Sequence, residues 1–127
     1  MADILLVDDD PLVAEVLSRA LARKGHDVTQ ASDGVQGLRK FSEAHFDLII
    51  TDIVMPHEEG LGMIRKIRRT DLEIKIIAIS GGGSTGNVEF LRMAEKLGAS
   101  ATIPKPIRFE DLFQTVEVCL AKPDVAV

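Results

Sequence analysis

The chain of 127 residues has a single cysteine, Cys119, and neither tryptophan nor tyrosine. One thiol excludes an intrachain disulfide, and a reducing cytoplasm is the natural setting for such a chain. No apolar run approaches the roughly 18 residues that a spanning helix needs, so membrane insertion is not expected. No basic segment followed by an apolar one opens the chain, so no signal peptide is read. Lys and Arg number 15 against 20 Asp and Glu, a formal net charge of -5. That balance gives no reason to expect nucleic acid or an anionic membrane surface as a direct partner. What is present is an ordinary globular mixture, 46% hydrophobic and 28% charged, in a length that suits one domain with a real core. The expected division is a domain over residues 1–121 and a tail or linker stub over 122–127.

Short apolar runs alternate with segments of helical period. Asp3-Ile4-Leu5-Leu6-Val7 reads as a buried strand, and Asp10-Pro11 then opens a helix, Asp10 as N-cap and Pro11 in the first turn. That helix carries Val13, Val16, Leu17, Ala20 and Leu21 and ends at Gly25. A weaker strand follows over 27–31, then a helix opened by Asp33-Gly34 with Val35, Leu38 and Phe41 on its apolar face. Leu48-Ile49-Ile50 continues without alternation, as a strand buried on both faces does, and ends in Thr51-Asp52. A short helix is expected over 60–69 and a strand over 74–79 ending in Ser80. Residues 81–86 read as a glycine-rich loop, and 87–97 as a helix with Phe90, Leu91, Ala94 and Leu97 on one side, Met93 widening the stripe, before Gly98. A last strand over 101–103 and a helix over 108–121, carrying Phe109, Leu112, Phe113, Val116 and Leu120, complete the pattern. Five strands separated by five helices imply right-handed crossovers and a doubly wound parallel α/β sheet covered on both faces.

In a parallel sheet every strand's carboxyl end lies on one edge, where ligands bind. That edge would carry Asp8 and Asp9 after the first strand, Asp52 at the end of the third, Ser80 after the fourth and Lys105 after the fifth. Three acids in a partly dehydrated site repel, and a bound cation or the lysine must offset the repulsion. Carboxylates with no His or Cys suit a hard cation such as Mg²⁺. Asp52 could then act as a nucleophile toward phosphorus, with the cation and Lys105 neutralising equatorial charge and Ser80 bonding a phosphoryl oxygen. Each residue alone has a plainer reading: an acid before a helix is usually a cap, a serine after a strand a turn residue, a lysine between prolines solvated. Their joint occurrence on one edge favours the chemistry.

These residues carry a resemblance. Ile4-Leu5-Leu6-Val7-Asp8-Asp9-Asp10-Pro11, Asp47-Leu48-Ile49-Ile50-Thr51-Asp52 with Met55-Pro56 and Gly60, then Ser80, Gly98-Ala99 and Lys105-Pro106 together resemble a response-regulator receiver domain. That is the phosphoacceptor module of two-component signalling, here of the chemotaxis-regulator-like kind. The resemblance implies a flavodoxin-like fold of strand order 2-1-3-4-5. It implies that Asp52 accepts a phosphoryl group from the phosphohistidine of a sensor histidine kinase or phosphotransfer protein. Asp9, Asp52 and the main-chain carbonyl of Val54 would ligate Mg²⁺, Asp8 acting mainly through water, and Lys105 would pair with Asp52. The Lys105-Pro106 bond would be cis. Ser80 would move to the phosphoryl group, drawing Gly81 and Gly82 with it and shifting the population of an active state. A downstream target protein or output domain would read that state, with a partner or homodimer surface on the fourth and fifth helices. The module is a signalling phosphoacceptor that acts only on itself, not a turnover enzyme.

Three positions depart from the family pattern. Thr102 stands three before the lysine, where an aromatic switch residue is usual. The segment from Ser80 to Gly98 is longer than in the chemotaxis type and rich in glycine. Val54 and Gly82 offer no polar side chain to orient an attacking water, which implies a longer-lived phosphoryl-aspartate. Three rival readings stand beside this one, and the first, a pure interaction domain with vestigial phosphorylation, has against it that the acids and Lys105 are all present. Residues 81–86 fit G-x-G-x-x-G, a dinucleotide fingerprint, but follow the fourth strand and lack the ribose-binding acid about 20 residues on. An Mg²⁺-dependent phosphatase with an aspartyl nucleophile usually needs a second acid two residues later, where Val54 stands.

Overall fold

The computed structural model describes residues 1–53, 59–80 and 87–121, the side chains of residues 59 and 87–91 excepted. The elements in chain order are β1 (Asp3–Val7), α1 (Pro11–Arg23), β2 (Asp27–Ala31), α2 (Gly34–Glu43), β3 (Leu48–Asp52), α3 (Glu59–Thr70), β4 (Lys75–Ser80), α4 (Asn87–Leu97), β5 (Ala101–Pro104) and α5 (Phe109–Ala121). Each agrees with the sequence pattern to within about a residue at its ends, where caps and frayed turns blur any boundary. Among the described residues the strands form one parallel sheet in the order β2-β1-β3-β4-β5.

Alternation along the strands divides the core in two. Leu5, Val7, Ile49, Ile53, Ile76 and Ala78 face α3 and α4, where Met63, Ile64, Ile67 and Ala94 pack, with Leu38 and Phe41 of α2 at the margin. Ile4, Leu6, Leu48, Ile50, Ile77 and Ile79 face α1 and α5, against Leu17, Leu21, Leu112 and Val116. Burial on both faces is why β1, β3 and β4 read as unbroken apolar runs. β2 is an edge strand with two half-buried residues and one buried, which accounts for its weak sequence signal. Each fully buried Ile or Leu contributes about 1.5–3 kcal/mol, so these central strands dominate the stability of the site's frame.

The helix starts follow from capping. Asp10 accepts from the N–H groups of Leu12 at 3.0 Å and Val13 at 3.4 Å, and Asp33 accepts from Gln36 N at 2.8 Å. Four expected core residues face outward instead: Val16 is 44% exposed, Val35 61%, Met93 44% and Phe109 45%. The inward stripe of α1 is Ala14, Leu17, Ser18 and Leu21, which leaves Val16 one step outside it. In α2 the stripe starts at Gly34 and Gly37 and excludes Val35 in the same way. Small residues took the inward positions that the apolar pattern assigned to larger ones.

Candidate functional site

β1 and β3 are neighbours, in register Val7↔Thr51, so the residues that leave their carboxyl ends meet. Asp8 is 2% exposed and Asp52 4%, whereas Asp9 is exposed. Asp8, Asp9 and Asp52 each offer an oxygen, and these oxygens lie within 4.8 Å of one another. The register Ser80↔Pro104 brings β4 and β5 to the same edge, and Lys105 N donates to Ser80 O at 2.8 Å. From there the Lys105 ammonium reaches back over the strands to Asp52 Oδ2 at 3.2 Å and Asp8 Oδ2 at 3.9 Å. Its side chain is 24% exposed, so the solvated reading of a lysine between prolines does not hold. The Lys105-Pro106 peptide is cis.

Asp8 carries the electrostatic strain. Burial raises its pKa above the usual 3.8, and the charges of Asp52 and Asp9 push the same way. The N–H of Asp10, bonded to Asp8 Oδ1 at 2.9 Å, and the Lys105 ammonium oppose that rise. Asp8 Oδ2 is buried with no hydrogen-bond partner among the described residues, and so is Ser80 Oγ, whose residue is 0% exposed. An oxygen-only donor set with an orphaned buried carboxylate oxygen fits a hard divalent cation. A cleft of about 290 Å³, lined by Asp8, Asp9, Gln30, Ser32 and Gln36 among others, opens beside the acids. A larger one of about 520 Å³ lies by Ala2, Asp47 and Lys75, at the amino ends of the strands and away from this chemistry.

Residues 4–117 match the family described as the response regulator receiver domain. The chain belongs to that family. It is 37% identical over 119 residues to the DNA-binding transcriptional regulator NtrC of Azospirillum brasilense, covering 94% of this chain and 24% of that protein. It is 34% identical over 125 residues to the sensor kinase CckA of Brucella abortus, covering 97% of this chain and 13% of that protein. The receiver domain of NtrX from Brucella abortus superimposes with a TM-score of 0.88 at 28% identity, covering 95% of this chain and 100% of that one. The chain thus spans less than a quarter of the length of these two curated relatives. It is a receiver domain of a two-component response regulator with a flavodoxin-like fold, and its family favours neither the dinucleotide nor the phosphatase reading.

Of the residues singled out from sequence, Asp8, Asp9, Asp52 and Lys105 form one cluster and Ser80 ends the adjoining strand. Thr102 is half-buried on β5. Val54, Gly81, Gly82, the rest of the glycine loop and the tail 122–127 lie outside the described residues. No helix among the described residues is long and apolar enough to cross a membrane. Sequence reading passed over Thr51, a fully buried hydroxyl beside Asp52, and Arg68, whose guanidinium binds main-chain oxygens of Gly98 and Asp71.

Proposed function

We propose that this receiver domain takes a phosphoryl group onto Asp52 from the phosphohistidine of a sensor histidine kinase or phosphotransfer protein. The reaction is Mg²⁺-dependent, and the phosphorylated state changes binding to a downstream target protein or output domain. One observation carries the reading: a buried Asp52 carboxylate pairs with Lys105 at 3.2 Å beside an Asp8 oxygen that has no hydrogen-bond partner among the described residues. An Asp52 oxygen forms the bond to phosphorus while the P–N bond to the donor imidazole breaks, its electron pair leaving with the imidazole. Lys105, already at the reacting carboxylate, neutralises charge that passes to the phosphoryl oxygens. Asp8, Asp9, Asp52 and the main-chain carbonyl of Val54 would hold Mg²⁺, which when bound supplies further positive charge at those oxygens.

The Ser80 hydroxyl is the switch donor, since it is buried without a hydrogen-bond partner among the described residues and a phosphoryl oxygen at Asp52 would satisfy it. Its movement draws Gly81 and Gly82 along and changes the packing around Thr102, so that phosphorylation shifts a population between two arrangements. The residue that would need an aromatic ring for the family's usual rotation is Thr102, so the glycine segment takes over part of that task. Met93 on α4 and Val118 on α5 stand exposed on the helices flanking β5, the proposed partner or dimer surface. A cytoplasmic setting goes with this reading.

The test is incubation of the chain with phosphoramidate and Mg²⁺, followed by intact mass and site mapping. The expected product carries one phosphoryl group per chain, on Asp52. Modification that persists in Asp52→Asn or after chelation of Mg²⁺ would refute the proposal. Repeated turnover of a small phosphate ester would favour a phosphatase instead.

A further inference from the structure

All five residues of β3 are buried, and Thr51, next to Asp52, is 0% exposed. Strand alternation sends its side chain to the face of Ile49 and Ile53, toward α3 and away from the Asp52 carboxylate. It therefore cannot touch a phosphoryl group. Its Oγ1 instead donates to the main-chain oxygen of Asp52 at 3.0 Å. α3 closes on the same peptide: a Cβ at Gly60 would overlap Asp52 O and come within 2.5 Å of Ile53 Cα. The far end of the peptide is held as well, Ile53 N donating to Ile79 O at 2.9 Å. The Asp52-Ile53 peptide, through which the chain leaves β3, is thus fixed by a hydroxyl, by a helix backbone and by β4.

We propose that Thr51 is a positioning residue for phosphoryl transfer: its hydroxyl, bonded to Asp52 O, locks the Asp52-Ile53 peptide against Gly60 and so sets the direction of the Asp52 carboxylate. This rests on Asp52 being the acceptor. The peptide plane shares the Asp52 Cα with the carboxylate, so a tilt of the plane moves the reacting oxygens relative to Lys105 and Asp8. In-line displacement is sensitive to such shifts, since about 1 Å of misplacement can cost 10²-fold in rate. A hydroxyl at this buried place also has a consequence that valine, of nearly the same shape, would lack. It gives the Asp52 carbonyl a donor within its own strand, independent of β4.

The experiment compares Thr51→Val and Thr51→Ser with the unaltered chain in three measurements. These are the phosphorylation rate of Asp52 by phosphoramidate, the Mg²⁺ dissociation constant by calorimetry, and the thermal midpoint. Thr51→Val should slow phosphorylation and weaken Mg²⁺ binding by about threefold to tenfold, the range set by one net hydrogen bond, at temperatures where the variant is fully folded. Thr51→Ser, which keeps the donor, should stay within about twofold of the unaltered chain. A purely structural hydroxyl would lower only the midpoint; a Thr51→Val protein with unchanged rate and Mg²⁺ affinity overturns the proposal. A Thr51→Ser protein as slow as Thr51→Val overturns it too, because the methyl group and not the hydroxyl would then matter. If Thr51→Val does not fold, Thr51→Ala serves as the hydroxyl-free member of the comparison with Thr51→Ser. Absence of any modification in the unaltered chain would instead remove Asp52 as acceptor, a failure distinct from this one.

Discussion

Replacing Asp8 by asparagine should make the cation-free protein more stable, although it removes a charge from an ion-pair network. At an effective dielectric constant of about 20, unit charges 4.8 Å apart repel by about 3 kcal/mol, and Asp52 lies within that distance of Asp8. Lys105 at 3.9 Å returns about 4 kcal/mol on the same scale, but it is drawn more closely to Asp52, at 3.2 Å. Asp9 is exposed, so its repulsion is largely screened. Attraction and repulsion nearly cancel, and burial then decides, as the raised pKa of Asp8 indicates. An amide places a neutral donor beside Asp52 where Asp8 Oδ2 has no hydrogen-bond partner among the described residues, worth about 1–3 kcal/mol. With about 4 °C per kcal/mol for a domain of this size, the melting midpoint in chelator should rise by about 4–12 °C. Added Mg²⁺ should stabilise the unaltered chain by mass action and the variant much less, so the gap narrows as Mg²⁺ is titrated. The pH dependence has a fixed sign. Between the ordinary carboxyl value of 3.8 and the raised native one, the folded state holds more protons than the unfolded state. Stability in chelator therefore falls as pH rises through that window, and Asp8→Asn should remove this fall. A variant that melts below the unaltered chain in chelator at neutral pH refutes the reasoning.

Three further outcomes are expected. Arg68 donates from Nε at 3.0 Å and Nη2 at 2.8 Å to Gly98 O and from Nη1 at 3.1 Å to Asp71 O, holding α3 to the positive-φ turn after α4. Arg68→Met should cost about 2–3 kcal/mol by urea denaturation, and a loss under about 0.5 kcal/mol would contradict the clamp. Leu12, 71% exposed, lines a groove of about 400 Å³ with Val16, Ile107, Phe109 and Lys105, and the proposed transfer from a protein donor to Asp52 would bring that donor over Lys105 and so against this groove. Leu12→Arg should therefore slow transfer from a phosphorylated kinase and leave the rate with phosphoramidate unchanged; equal slowing with both donors counts against it. The Asp47 carboxyl is held below its ordinary range, first by the N–H of Asp3 and then by His45. Its stabilisation is present above 3.8 and lost as pH falls through the lower native value, so Asp47→Asn should flatten the acid limb of the stability curve measured by urea titration.

The acids and the lysine were legible because each lies within two residues of a strand end, and apolar runs mark strand ends well. Asp8 follows Val7, Asp52 closes Leu48-Ile49-Ile50-Thr51, and Lys105 follows Pro104; a parallel sheet then needs no further information to bring them to one edge. The order of the strands was not in the pattern. It came through the resemblance, and the adjacency of β1 and β3 on which the Asp8–Asp52 contact depends is a property of the assembled sheet. Helix faces were legible only in part, because periodicity finds a stripe from its large apolar residues, while α1 and α2 turn Ala14, Ser18, Gly34 and Gly37 inward. Arg68 was invisible for a different reason. Its acceptor Gly98 is 30 positions away, and a main-chain oxygen leaves no mark on residue choice beyond the glycine itself. Thr51 is the instructive case, since threonine suits a strand about as well as valine does and an apolar run tolerates it without comment. Its hydroxyl gains meaning only when the distance to Asp52 O and the closeness of Gly60 are known. Residue type and position located the groups that converge at the carboxyl ends of the strands. The groups that act through the backbone became visible only in the packing of α3 against β3.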